Sequence, residues 1–95
     1  MAKLRARGRT EIFRMVRQEP PDAEGVERKT VYAFMSDGIV LYSQTTRIPT
    51  RSYNGYTIPA HTNRTGWKVS KQNKAQTQQE IEESLRLKGF VRGAL

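Results

Sequence analysis

The chain has 95 residues, with 17 Lys and Arg against 9 Asp and Glu, no cysteine, and a net charge of +8. That length suits one domain with a thin core, and the absence of cysteine excludes a disulfide framework or a thiolate metal site. No apolar run approaches the roughly 18 residues of a membrane span, and Met1-Ala2-Lys3-Leu4-Arg5 lacks the apolar stretch of a signal peptide, so a cytoplasmic location is expected.

In chain order, residues 1–9 read as a basic arm ahead of a single domain over residues 10–95. Lys3, Arg5, Arg7 and Arg9 alternate with Leu4, Ala6 and Gly8, so an extended arm sets its cations along one side. Arms of this kind track phosphates or enter a minor groove.

The segment Thr10 to Gln18 is rich in β-branched and aromatic residues and stops at Pro20-Pro21. It predicts a strand with Phe13 and Met15 on one face and Ile12, Arg14 and Val16 on the other. Glu19 to Gly25 is a solvated connection. From Val26 to Ile48 the pattern predicts a hairpin turning at Asp37-Gly38, the pair favoured in a type I′ turn. A two-residue loop there sets Met35 opposite Val40, Phe34 opposite Leu41 and Tyr32 opposite Ser43. One face then carries Tyr32, Phe34 and Leu41, and the other Val31, Ala33, Met35, Val40 and Tyr42. Both are apolar near the turn, so cover is expected on both sides.

Pro49 to Thr65 reads as a long loop, with a small hairpin at Asn54-Gly55 as the alternative. Gly66 to Ser70 resumes strand character, with Trp67 and Val69 on one face. A helix is expected from Asn73 or Thr77 to Lys88. Thr77-Gln78-Gln79-Glu80 has capping-box spacing, as does Asn73 to Gln76. Gly89 suits the left-handed C′ position, where the apolar contact joins Leu85 to Phe90. The result is an α+β fold: an antiparallel three- to four-stranded β-meander with one C-terminal helix packed on the sheet.

Catalytic candidates are sparse. His61 is the single histidine, in a polar segment without partner ligands nearby, and reads as an ordinary loop residue. Glu80, Glu82 and Glu83 suit the positive end of a helix better than a metal site. No glycine spacing forms a phosphate loop. The expectation is a protein that is not an enzyme, with no cofactor and no metal.

Charge is uneven: residues 1–17 carry +5, residues 18–27 carry −4, residues 28–74 carry +7, and the remainder balances. Arg47, Arg51, Arg64, Lys68, Lys71 and Lys74 are interleaved with Tyr53, Tyr56 and Trp67. Cations for phosphates beside aromatics for stacking are the combination that single-stranded nucleic-acid binders use, although Trp67 is expected in the core. The candidate nucleic-acid-binding residues are Lys3, Arg5, Arg7, Arg9, Arg47, Arg51, Tyr53, Tyr56, Arg64, Lys68 and Lys71.

At Leu4-Arg5-Ala6-Arg7-Gly8-Arg9-Thr10-Glu11, the Tyr32–Leu41 hairpin and Gly66-Trp67-Lys68-Val69, the chain resembles small bacteriophage and prophage proteins with an MSDG turn and a GWKV strand. The resemblance covers residues 4–71 in patches and implies a mobile-element origin without an activity. The sheet-then-helix order also resembles integrase arm-binding and AP2-type DNA-binding domains, from which the 49–65 segment departs. Two functions are therefore expected as alternatives. The first is a phage-type accessory protein that binds nucleic acid. The second is a phage protein-interaction module, an inhibitor of a host complex or a small virion component. Its partner is an acidic host protein surface or a second copy of the chain.

Overall fold

Alternating β-branched and aromatic residues build three long antiparallel strands, β2 (Arg9–Gln18), β3 (Glu27–Met35) and β4 (Val40–Ile48). The computed structural model describes residues 5–6 and 8–93, with side chains from residue 8 onward. Short strands extend both sides of this meander. β1 (Arg5–Ala6) and β9 (Val91–Gly93) pair with β2, while β7 (His61–Arg64) and β8 (Lys68–Val69) pair with β4. The sheet has seven strands among the described residues, more than the expected three to four. A separate hairpin, β5 (Arg51–Tyr53) and β6 (Tyr56–Ile58), interrupts the β4–β7 connection. The antiparallel sheet with one C-terminal helix is as expected.

The β3–β4 register is one residue from that expected. Phe34 faces Val40, Ala33 faces Leu41 and Tyr32 faces Tyr42. The loop has three residues, because Gly38 N–H donates to Met35 O at 3.1 Å and Met35 N–H to Ile39 O at 2.8 Å. Gly38, at φ +90°, takes the left-handed position alone, which makes a type I turn with a bulge in place of type I′. The slip changes the faces. Tyr32, Phe34, Val40 and Tyr42 share one, and Val31, Ala33, Met35 and Leu41 the other.

The first face packs under the helix. Met15, Phe34 and Val40 meet Ile81, Leu85 and Phe90 in one buried cluster, and Phe13 stacks on Phe34 at 4.4 Å. Helix α1 (Gln78–Leu87) starts where Thr77 and Glu80 close a reciprocal capping box. It stops where Phe90 N–H donates to Leu85 O at 3.0 Å around Gly89, as the spacing predicts. The earlier start at Asn73 is not used. Lys71–Lys74 form a 3-10 turn, and the Asn73 side chain instead brackets the Val40 backbone, accepting from its N–H and donating to its O at 3.0 Å each.

The opposite face is covered near the turn by Trp67 and Ile39 against Ala33, Met35 and Leu41. Between the two ladders on β4 the returning chain has one residue more than its partner, so Trp67 swings onto this face. Trp67 is thus partly buried against this cluster, at the edge of the core rather than within it as expected. Beside it, a bulge between Glu11 and Phe13 brings Glu11 onto the face that holds Arg14, opposite Met35. Ile12, in the bulge, is half exposed.

The β2–β3 connection is held by Asp22, whose carboxylate accepts from Glu24 N–H, Val26 N–H and Arg28 Nη1 at 2.9, 3.0 and 3.2 Å. These bonds, led by that from Val26, hold its carboxyl below the usual range. A depressed folded value adds stability above the unfolded value of roughly 3.9, lost as pH falls through the lower folded value. Asp22→Asn is therefore expected to flatten the acid side of the melting-temperature profile between about pH 5 and 2. Parallel profiles for the two proteins would refute the assignment.

Candidate nucleic-acid interface

The segment expected as a loop is a β-ribbon. β4 and β7 pair from Thr45↔Arg64 to Ile48↔His61, and β5 and β6 from Arg51↔Ile58 to Tyr53↔Tyr56, in one unbroken register. Pro49 and Pro59 lack N–H donors and interrupt the ladder between these stretches without shifting it. At the tip, Asn54 and Gly55 both take positive φ, +50° and +79°, and form the two-residue turn given as the alternative reading. Every residue from Arg51 to Arg64 that belongs to a strand is exposed, so the ribbon contributes no core and is held through β4. His61 lies on a strand of this ribbon, exposed, and not in a loop.

In such a ribbon, opposed residues share a face and alternate positions along each strand return to it. One face therefore carries the opposed pairs Thr45 and Arg64, Arg47 and Thr62, Arg51 and Ile58, and Tyr53 and Tyr56. Five of the residues singled out from sequence, Arg47, Arg51, Tyr53, Tyr56 and Arg64, come together here. Tyr53 and Tyr56 are 67% and 76% exposed, very high for rings of that size.

The other candidates lie elsewhere. Lys68 opposes Tyr42 on the helix side of the sheet, and Lys71 begins the 3-10 turn. Arg9 belongs to β2, where its Nε lies 2.7 Å from Asp37 at the hairpin turn. Lys3 and Arg7 lie outside the described residues. Arg5 is described through its backbone alone, which pairs with Thr10.

Ion pairing sharpens this distribution. Arg14, Arg17, Arg28 and Arg9 pair with Glu11, Glu19, Asp22 and Asp37, and Arg86 and Arg92 both reach Glu82. The two arginines hold the Glu82 carboxyl below its usual range, Arg86 contributing most. Among the described residues the guanidinium groups of Arg47, Arg51 and Arg64 have no carboxylate partner. Three of the cations without a carboxylate partner thus lie on the ribbon, while Lys29, Lys68, Lys71, Lys74 and Lys88, likewise without an ion pair among the described residues, lie off it.

Sequence reasoning missed Lys29. It opposes Thr45 across β3 and β4, and Gln18 opposes it from β2, so Gln18, Lys29, Thr45 and Arg64 form one row across four strands. Below it, Glu27, Arg47 and Thr62 form the next. Gln18, Lys29, Thr45, Glu27, Arg47 and Thr62 line a cleft of about 220 Å³ at the base of the ribbon. Among the described residues no group of three His, Asp or Glu is placed to hold a metal ion, and no helix is long and apolar enough to cross a membrane. No family model, curated protein or solved structure matches this chain.

Proposed function

We propose that this protein binds nucleic acid, without catalysing a reaction, through the basic, tyrosine-bearing face of the β4–β7 ribbon. One observation carries the reading: unpaired Arg47, Arg51 and Arg64 share a face with two exposed tyrosines on an arm that buries no core. A two-stranded ribbon is held out from a fold for the surface it presents, and this surface combines phosphate-binding and ring-stacking groups. The resemblance at the MSDG turn and the GWKV strand makes a phage accessory protein the setting for this activity.

Binding is expected to weaken steeply with salt. Three phosphate contacts give a slope of about −2 in log affinity against log salt, so affinity falls about 20-fold between 50 and 200 mM. Replacing Arg47, Arg51 and Arg64 together by Ala is expected to reduce affinity at least about tenfold and to flatten that slope. Its melting temperature stays within a few degrees of the parent, because Arg47, Arg51 and Arg64 are all exposed. Fluorescence anisotropy with a labelled oligonucleotide makes the measurement. Affinity indifferent to salt, or unchanged in the triple variant, refutes the proposal and turns attention to an acidic protein partner.

A further inference from the structure

Resting on that reading, we infer that the ligand is an unpaired nucleic-acid strand. Its bases stack on Tyr53 and Tyr56 at the ribbon tip, and its backbone runs to the basal cleft, where Lys29 takes a phosphate. Two independent observations meet here.

The first is the state of the tyrosines. They oppose each other directly across the Asn54-Gly55 turn, and neither makes a ring contact among the described residues, unlike Tyr32, which meets both Tyr42 and Phe90. A ring that rests on no neighbouring ring has its face open, and base faces are available to it only in a strand that is not paired. Duplex binders that part base steps use aliphatic or phenyl wedges, whereas an exposed phenol ring is a stacking platform. Ile58, opposite Arg51, continues the apolar floor one step behind the tip.

The second is the cleft, formed by a row of side chains from four strands that no single stretch of sequence reveals. Its lining offers an ammonium, a guanidinium, a carboxamide and two hydroxyls from Lys29, Arg47, Gln18, Thr45 and Thr62. These are phosphate-binding groups. From Tyr53 back to Thr45 is about 26 Å of strand, the span of on the order of four to five nucleotides and the short end of single-strand sites. Glu27 is the one carboxylate in the lining and opposes Arg47 without an ion pair. It works against binding, and that gives the test a variant that gains.

The full chain is titrated against a labelled mixed-sequence single strand, as DNA and as RNA, and against the same DNA annealed to its complement. The expected result is at least about tenfold tighter binding of one or both single strands than of duplex. Tyr53→Leu with Tyr56→Leu removes that preference by lowering single-strand affinity about 10- to 100-fold, while Tyr53→Phe with Tyr56→Phe retains it. Lys29→Gln lowers the salt slope by about 0.7, and Glu27→Gln raises affinity. Duplex bound as tightly as single strand, with the leucine variant unaffected, overturns this inference and leaves the nucleic-acid reading standing. Failure of every strand to bind overturns both.

Discussion

A Glu11→Ala variant is expected to lose about 3–5 kcal/mol of stability, enough to leave the fold marginal. Glu11 is 1% exposed, and its two carboxylate oxygens accept from Arg14 Nη2 and Nε at 2.7 and 2.6 Å. Trp67 lies over the same guanidinium at 5.9 Å. The Glu11 hydrogen bond is the main reason that Arg14 holds its proton more tightly than usual, and with Glu11 removed the guanidinium still stays charged because its ordinary pKa lies far above neutral pH. A charge kept beneath an indole ring without its buried carboxylate is the costly state, more than the lost bond itself. The corollary separates these terms. Glu11→Leu combined with Arg14→Met removes both charges at similar volume and is expected to recover most of the loss, or to exceed the parent. Urea unfolding followed by circular dichroism measures all three proteins. A loss below about 1 kcal/mol for Glu11→Ala would falsify the claim that the buried Glu11 carboxylate compensates a mostly buried guanidinium.

Phe34→Ala is expected to cost about as much for a different reason. The ring is wholly buried, stacked on Phe13 at an interplanar angle of 12°, in the cluster that includes Ile81 and Leu85. Truncation removes the transfer free energy of the ring and opens a cavity between two rigid layers, together about 3–5 kcal/mol. In a chain of 95 residues that corresponds to a fall on the order of 20 °C in melting temperature. Phe34→Leu keeps most of the volume and is expected to lose about half as much. If the alanine variant melts within about 5 °C of the parent, the helix does not depend on this ring as the packing implies.

What could be read in the sequence was local. The helix could be read because its capping box and its glycine stop are contained in the residues themselves, and the structure uses both. The presence of the β3–β4 hairpin was legible, but its register was not. Ser36-Asp37-Gly38 supports a two- or a three-residue loop equally well. The choice is secured by Thr10 on a neighbouring strand, which exchanges bonds with Ser36 at 2.8 and 3.0 Å. Pro49 and Pro59 read as strand breakers, yet they fall on opposite strands in the same gap of the ladder and leave its register intact. Lys29 and the pairing of Arg9 with Asp37 depend on alignment across strands, which spacing along one strand cannot carry.

The unbroken register has a consequence for how such an arm can change in length. One residue added to each strand moves the tip outward and turns whatever sits beside it to the other face. Two residues added to each strand restore the original side. A single unmatched insertion forces a bulge and swings the tip away. The tyrosine pair can thus be carried farther from the fold only in increments of four residues, a rule that any lengthened or shortened form of the arm must obey to keep its rings beside its arginines.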